Sequence, residues 1–217
     1  AANVIAVKTG TTRPDEYIVI GGHYDSISTE NFHDLDAYAP GADDNATGVA
    51  GVLEAARILS PIALERSIIF ALWSGEEVGL RGSRAWVADA VASDMNIVIY
   101  LNMDVIGYSD EDPPVAIIYS DSTSLAVGGL MQDLIIDHTP YGCVTTVQPV
   151  GASDQNSFWE RGINVLDTSS GAGWSPYHHT PNDIIDHVDL ELCRALAAVN
   201  VAAAAALAIV VGEDENL

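Results

Sequence analysis

Two periodicities alternate along the chain and predict its secondary structure. Short apolar runs rich in β-branched residues predict strands, and apolar residues spaced three or four apart predict helices. The predicted strands cover residues 3–8, 17–22, 66–73, 96–101, 115–119, 143–147 and 162–166. The predicted helices cover residues 49–59, 82–91, 122–137, a short piece within 151–159, and 189–211. Alternating strands and helices are typical of the α/β class, whose sheets contain parallel strands.

Two segments of this pattern carry more specific predictions. The first two strands are joined by the polar stretch 9–15, so we expect them to form a hairpin. The apolar run 196–211 is rich in alanine, contains Asn200 and is short for a membrane span. We therefore predict a buried C-terminal helix there rather than a membrane anchor.

Residues that can bind metal ions stand at or near the ends of predicted strands. His23 follows strand 17–22, and Asp25, two residues on, could accept its second ring N–H and fix the tautomer. Asp44 lies in the turn-rich run 41–48, immediately before a predicted helix. A carboxylate held where a loop enters a helix could lend one oxygen to each of two cations, although the same run could simply cap the helix.

Three acidic residues follow the next two strands. Glu76 and Glu77 stand in a Gly-rich turn after strand 66–73, and Asp104 follows strand 96–101. Neighbouring side chains diverge, so one glutamate can bind a metal while the other faces the open coordination position. We assign Glu77 to the metal and Glu76 to general-base catalysis.

Two adjacent histidines, His178 and His179, lie in a late loop flanked by glycine and proline. With the strand-end residues they suggest a centre of two imidazoles and three carboxylates, a donor set that suits zinc, or cobalt or manganese by geometry. Two such ions about 3.5 to 4 Å apart would polarise a carbonyl and ionise a shared water. The predicted division is Glu77 and His179 on one ion, Asp104 and His23 on the other, and Asp44 bridging both.

Composition limits the other function classes. The formal charge of −23 and pI near 4.1 argue against binding to nucleic acids and anionic membranes. Lys8 is the only lysine, and so acidic a surface suits high salt or an extracellular setting, although solubility alone would explain it equally well.

Nothing resembles a linker, so we predict a single domain over residues 1–217. Cys143 and Cys193 could form one disulfide or remain two buried thiols.

Five motifs, in order, carry a resemblance to a known family: GGHYDS, APGADDNATG, SGEEVGLRGS, NMD and HHTPND. In these motifs the chain resembles the two-zinc aminopeptidases of the bacterial leucyl aminopeptidase type, whose relatives include glutamate carboxypeptidases and glutaminyl cyclases. The resemblance runs from about Tyr17 to Asp183, nearly the whole chain. It implies a three-layer α/β/α sandwich around a mixed, largely parallel sheet of about eight strands.

The resemblance also implies roles for individual residues. It supports the five metal ligands named above, and it selects Asp44 over Asp43 and His179 over His178. It likewise implies Glu76 as the general base and Asp25 as the carboxylate that supports His23. Two zinc ions per chain are implied, with Co²⁺ or Mn²⁺ as possible substitutes. His178 departs from the family pattern, in which a tyrosine often stands near the substrate.

We therefore expect hydrolysis of the N-terminal peptide bond of peptides that have a free N-terminus. A metal-bridging hydroxide would attack the carbonyl, and Glu76 would take its proton and pass it to the leaving amine. Apolar walls would suit a hydrophobic first residue, and we also expect a monomer that is secreted or periplasmic. The candidates for substrate contact are Met103, Phe158, Trp174, Tyr177 and His178.

Three alternatives remain open. A glutaminyl cyclase would bind one zinc on the same fold, and the ADDN run fits it less well. A glutamate-releasing carboxypeptidase would need basic residues for the substrate carboxylate, for which Arg81, Arg84 and Arg161 are available. A non-catalytic metal-binding or receptor-like module would have lost Glu76 or a ligand, and none is missing.

Overall fold

A computed structural model describes residues 2–29, 37–147, 153–171 and 175–209. Some predictions lie outside these ranges. They concern Trp174, the first two residues of the short helix predicted within 151–159, and the last two residues of the predicted C-terminal helix.

The described residues contain one seven-stranded sheet. Its strands are β1 Val4–Lys8, β2 Arg13–His23, β3 Arg66–Trp73, β4 Asn96–Met103, β5 Val115–Ser120, β6 Gly142–Val147 and β7 Val165–Ser170. The spatial order is β1-β3-β2-β4-β7-β5-β6. Neighbours are parallel except for the β1/β3 and β5/β7 pairs. The predicted mixed, largely parallel sheet is confirmed, with seven described strands against about eight expected.

The predicted hairpin between the first two strands is wrong. Strand β3 lies between them, antiparallel to β1 and parallel to β2. Ile18, Val19 and Ile20 of β2 are all fully buried, as in a central strand whose two faces are both covered. β1 is an edge strand of the sheet, and its Val4 and Val7 are exposed.

The last strand also differs from its prediction. It covers Val165–Ser170 rather than 162–166, because Gly162 adopts a left-handed turn with φ 74°. The second half of β7 is polar, and it enters the sheet because β4 and β5 pair with it on either side. A polar strand in the middle of the sheet can deliver polar side chains to a cavity at its end.

Five α-helices of the described residues cover the two faces of the sheet. They are α1 Gly48–Leu59, α2 Arg81–Ala92, α3 Leu125–His138, α4 Gln155–Trp159 and α5 Leu190–Ala208. Helices α1, α3 and α5 enclose one apolar core with Ile18 and Ile20, and α2 and α4 enclose a second core with Val19 and Trp73. Because alternate residues of β2 point to opposite faces, the fold is the predicted three-layer α/β/α sandwich.

Helix α5 is the predicted C-terminal helix. Among the described helices, it is the one that is long and apolar enough by composition to cross a membrane. However, half of the most apolar 18-residue stretch of this helix is buried. The helix packs against α1 and α3, with Leu192, Leu196 and Ala204 in the core. This is the packing of a core helix in a globular domain.

The two cysteines are both free thiols. Cys143 lies in β6 and Cys193 in α5, and each is partly buried. Burial raises the pKa of each thiol to about 11, so both remain protonated at neutral pH.

The parallel strands bring the candidate site residues to one edge of the sheet. Strands β2, β3 and β4 are adjacent, so their carboxyl ends meet there. His23 is the last residue of β2, Glu76 and Glu77 follow β3, and Asp104 follows β4 directly. The turn before α1 and the loop after β7 line the same cavity.

Candidate metal centre

Asp44 lies at the middle of the site, in the turn that leads into α1. The turn Ala42–Thr47 is helical except at Asp44 and Asn45, which depart from helical φ and ψ. The carboxylate of Asp43 is engaged elsewhere, because its Oδ1 accepts a hydrogen bond from Gly107 N at 2.8 Å. Of the two adjacent aspartates, Asp44 is therefore the one whose carboxylate meets the imidazoles.

The two carboxylate oxygens of Asp44 face two different groups of side chains. Oδ1 lies 3.2 Å from His23 Nε2, and that nitrogen lies 3.2 Å from Asp104 Oδ1. Oδ2 lies 3.0 Å from His179 Nε2, which in turn lies 3.0 Å from Glu77 Oε2. The structure thus brings the five predicted ligands together in two sets that share Asp44.

His178 is closer to this centre than the sequence indicated. Its Nδ1 lies 3.0 Å from Asp44 Oδ2, and its ring stacks on that of His179 with centroids 3.7 Å apart. The three side chains offer ligand atoms within 4.8 Å of one another. His178 is therefore a candidate for a further ligand as well as for the substrate contact predicted from the sequence.

Asp25 supports the site in a different way from the one predicted. Its backbone carbonyl, rather than its carboxylate, accepts the hydrogen bond from His23 Nδ1, at 2.9 Å. Because a carbonyl can only accept, Nδ1 carries the proton and Nε2 faces the carboxylates. The Asp25 carboxylate lies 3.9 Å from Nδ1 and accepts instead from the backbone N of Glu76 at 3.1 Å and of Glu77 at 3.2 Å. It thereby holds the turn that carries both glutamates.

Asp183 provides matching support for the aspartate turn. Its Oδ1 accepts from Asp43 N at 2.9 Å, and its Oδ2 accepts from Asp44 N at 3.0 Å. The sequence pattern assigned no role to Asp183, although it is the last residue of the HHTPND motif. The motif marks the residue, but only the fold shows which backbone it holds.

Burial and opposite charge act against each other in the pKa values of this centre. Burial lowers the pKa of His23, but the carboxylates of Asp104 and Asp44 outweigh it and raise that pKa well above its usual range. For His179 the effect of burial is likewise outweighed by Asp44 and Glu77, and the pKa rises to about 10. Burial would raise the pKa of Asp44, but the surrounding imidazoles lower it well below its usual range. Divalent cations could take over this balancing of charge, with the imidazoles then binding as neutral ligands.

The two glutamates have raised pKa values. Burial raises the pKa of Glu76 to about 9, with His23 opposing the rise and Asp104 adding to it. Burial also raises the pKa of Glu77. A nearby cation would lower both values, and a carboxyl that titrates near neutrality is suited to accept and return a proton. Ligand atoms of Glu76, Glu77 and His23 lie within 4.8 Å of one another.

The donors present fit zinc. Imidazole nitrogens and carboxylate oxygens are common zinc ligands, and here they converge from five different segments of the chain. Within the described residues, the buried Oε1 of Glu77 has no hydrogen-bond partner, and a metal ion would supply one.

A cavity of about 340 Å³ opens over these side chains. Beyond the five predicted ligands and His178, its described wall combines hydroxyl groups, three carboxylates and some apolar surface. These wall residues are Asp43, Glu76, Val105, Tyr108, Tyr119, Ser153, Asp167, Ser169, Ser170, Gly171 and Ser175. The preference for a hydrophobic first residue stays a prediction, because this wall combines polar groups with apolar surface from Val105 and the rings of Tyr108 and Tyr119.

Two of the predicted pocket residues are wrong, because they are fully buried away from the cavity. Met103 packs in the core against Gly51 of α1, and Phe158 stacks on Tyr100 with ring centroids 4.0 Å apart. Tyr177 is also outside the described lining, and its ring stacks on His187 at 3.7 Å. Of the predicted substrate contacts within the described residues, His178 alone lines the cavity.

Comparisons with known proteins agree with this geometry. The sequence family described as Peptidase family M28 matches residues 3–204. A probable zinc metalloprotease of Pyrenophora teres f. teres (strain 0-1) is 39% identical over 49% of this chain and 23% of its own length. The aminopeptidase NAALADL1 of Rattus norvegicus is 29% identical over 87% of this chain and 28% of its own length.

A solved structure shows the same fold. The crystal structure of the Legionella pneumophila LapA aminopeptidase matches with a TM-score of 0.81 at 27% identity. The match covers 96% of this chain and 55% of that one. The chain thus spans about a quarter of the length of the two curated relatives and about half of the solved structure.

Proposed function

This chain belongs to peptidase family M28, and we propose that it is a zinc-dependent aminopeptidase that hydrolyses the N-terminal peptide bond of peptides. The resemblance noted in the five sequence motifs is confirmed by the family match. The rat relative and the Legionella structure are both described as aminopeptidases. The observation that carries the proposal is the shared position of Asp44, whose two oxygens face two separate sets of metal-binding side chains.

The arrangement supports two zinc ions per chain. His23 and Asp104 would hold one ion, Glu77 and His179 the other, and Asp44 both. When bound, zinc would polarise the scissile carbonyl and make water a stronger nucleophile at neutral pH.

Glu76 is the residue we assign to proton transfer. Its carboxylate lines the cavity beside the predicted ligands, and its backbone is held by Asp25. From this position Glu76 would take a proton from the attacking water and return it to the leaving amine. Asp25 and Asp183 would keep the two acidic turns in place so that these side chains need little reorganisation.

The alternatives receive less support from the described residues. A glutamate-releasing carboxypeptidase would need a basic group for the substrate carboxylate, yet no arginine or lysine lines the described cavity. Arg81 donates to Val78 O, and Arg84 pairs with Glu160 on the surface. A cyclase that binds one zinc ion would use only one of the two groups of predicted ligands that share Asp44.

A metal add-back experiment tests the proposal. The protein is stripped with a chelator, and hydrolysis of leucyl, arginyl and glutaminyl p-nitroanilides is followed as zinc is returned. Activity that is absent after stripping and needs about two equivalents of zinc to recover is the expected result. Cyclisation of N-terminal glutamine, full activity with one equivalent, or no hydrolysis at any zinc level would overturn it.

A further inference from the structure

Asp167 is a buried carboxylate that the proposed hydrolysis does not use. It stands in β7 in register with Asn102 of β4 and Tyr119 of β5, so the three side chains lie side by side on one face of the sheet. Its Oδ1 accepts from Asn102 Nδ2 at 3.0 Å, and its Oδ2 accepts from Gln155 Nε2 at 3.2 Å. Asp167 lines the same cavity as the metal-binding side chains.

Asp167 has no lysine or arginine beside it among the described residues. Burial raises its pKa to about 8, and the carboxylate of Asp104 contributes to the rise. Its two amide partners satisfy part of its hydrogen-bonding capacity without supplying a positive charge. A buried carboxyl in this position would be stabilised by a cation brought from outside. Five arginines instead form ion pairs with glutamates, and they are Arg13, Arg57, Arg66, Arg84 and Arg194.

The cavity wall near Asp167 suits a long side chain with a polar end. Val105 and the rings of Tyr108 and Tyr119 offer apolar surface, and Ser169 adds a hydroxyl group. Lysine and arginine bury an alkyl stem against such surface while the charged head reaches a polar group, and tyrosine rings also attract cations. A volume of about 340 Å³ is at the small end for ligand sites, so it suits a single residue of a peptide.

We propose that the cavity selects peptides whose first residue is cationic, lysine or arginine, with Asp167 as the counter-ion of its side chain. The inference rests on the proposed aminopeptidase function, because it names the substrate class of that same site. A leucyl side chain would cover Asp167 without bringing a positive charge to its carboxyl, which is less favourable. The net charge of −23 would also attract cationic peptides to the protein.

The wild-type protein provides the first test. The kcat/KM values of the zinc-loaded protein are compared for arginyl, citrullyl and leucyl p-nitroanilides. Citrulline matches arginine in length and shape but carries no charge, so the arginyl-to-citrullyl ratio isolates the charge. We expect a ratio of about ten or more, because a charged hydrogen-bonded pair is stronger than its neutral counterpart. A ratio near one, or leucine as the preferred first residue, would overturn the inference.

A pair of variants locates the effect. Asp167→Asn removes the charge and keeps the shape, so the arginyl-to-citrullyl ratio should fall to near one. Asp133→Asn removes the same charge from an exposed position of α3 that does not line the cavity, so it should keep the wild-type ratio. If Asp167→Asn keeps the ratio, another group is the counter-ion and the assignment is wrong. Should that variant fail to fold, as judged by thermal melting, the wild-type comparison still decides whether the cavity prefers a cation.

The outcomes separate this inference from the function on which it rests. No hydrolysis of any aminoacyl substrate at any zinc level would refute the aminopeptidase proposal itself. Zinc-dependent hydrolysis with leucine preferred over arginine would refute only the cationic preference. Zinc-dependent hydrolysis with arginine preferred over citrulline would support both.

Discussion

The carboxylate of Asp183 holds the backbone of Asp44, with Oδ2 at 3.0 Å from Asp44 N, although the two residues are 139 positions apart in the chain. Its other oxygen accepts from Asp43 N. Asp25 does the same for the backbone of Glu76 and Glu77. Each of the two turns with paired acidic residues is thus held, through its backbone N–H groups, by a carboxylate from another segment.

The first prediction concerns Asp183. In Asp183→Asn one oxygen is replaced by an NH₂ group, so one of the two backbone N–H groups loses its acceptor. A buried N–H group without an acceptor costs about 1–3 kcal/mol of stability. Loss of a residue that positions a metal ligand typically lowers metal affinity by about 10- to 100-fold. Thermal melting and zinc competition against a chelator measure the two effects. The exposed Asp186→Asn variant is the control and should match the wild type. Unchanged zinc affinity in Asp183→Asn would show that this contact does not support the centre.

The second prediction separates proton transfer from metal binding. Glu76→Gln keeps the size of the side chain but cannot accept a proton, so kcat should fall by about 10²- to 10⁴-fold. Zinc content should stay at the wild-type level. Glu160→Gln, on the surface beside Arg84, should retain both activity and zinc. Normal turnover in Glu76→Gln would contradict its assignment as the base.

The third prediction concerns the two ligand sets around Asp44. His23→Ala and His179→Ala should each lose one zinc equivalent and keep the other, because each removes a ligand from one set only. Asp44→Ala should lose both. Metal analysis after dialysis measures the stoichiometry, with the exposed His138→Ala as the control. Two retained equivalents in His23→Ala, or none, would contradict the division of ligands.

The fourth prediction concerns salt. The chain has 31 acidic residues against 8 lysines and arginines, so its surface charges repel one another in the folded state. Salt screens this repulsion over distances of about 10 Å at 0.1 M and less at higher concentration. The melting temperature should therefore rise between 0.1 M and 2 M potassium chloride. Chloride is chosen because sulfate stabilises proteins by exclusion from their surface. A flat or falling melting temperature would exclude a stabilising role for high salt.

The fifth prediction is a pH dependence that arises at Asp121, which is not among the predicted metal ligands. Asp121 accepts hydrogen bonds from the backbone N of Thr123 at 2.9 Å and of Ser124 at 2.8 Å, just before α3. Burial acts to raise its pKa, but these hydrogen bonds and the one from Thr123 Oγ1 at 2.7 Å outweigh burial and lower it. A lowered pKa means that the ionised form stabilises the fold. This contribution is present above the unfolded pKa of about 3.9 and is lost as the pH falls through the folded value.

Asp121→Asn tests this contribution, because asparagine keeps an acceptor but cannot ionise. The wild type should be more stable than the variant at pH 7, and the difference should begin to shrink as the pH falls below about 4. Urea unfolding at several pH values measures the difference. Asp133→Asn, on the exposed side of α3, is the control and should show no comparable trend. A difference in stability that grows on acidification would contradict a lowered pKa for Asp121.

Local patterns were enough to predict most elements of the fold. The strand over residues 66–73 and the helix over 49–59 agree with β3 and α1 because periodicity and turn residues act within short segments. The hairpin between β1 and β2 was wrong because sheet order depends on which strand is buried on both faces. Likewise, β7 extends to Ser170, beyond its predicted end, because its polar half pairs with β4 and β5 on either side, which its own composition does not indicate.

The sequence by itself determined the α/β class, the family and the identity of the residues that meet at the sheet edge, among them His23, Asp44 and Asp104. These follow from residue types placed at the ends of apolar strands, which is local information. Only the tertiary structure decided that Asp183 and Asp25 hold the acidic turns, and that Met103 and Phe158 are in the core while Asp167 faces the cavity. The physical reason is that long-range strand register and packing fix the partner and the exposed face of each side chain, and local sequence specifies neither.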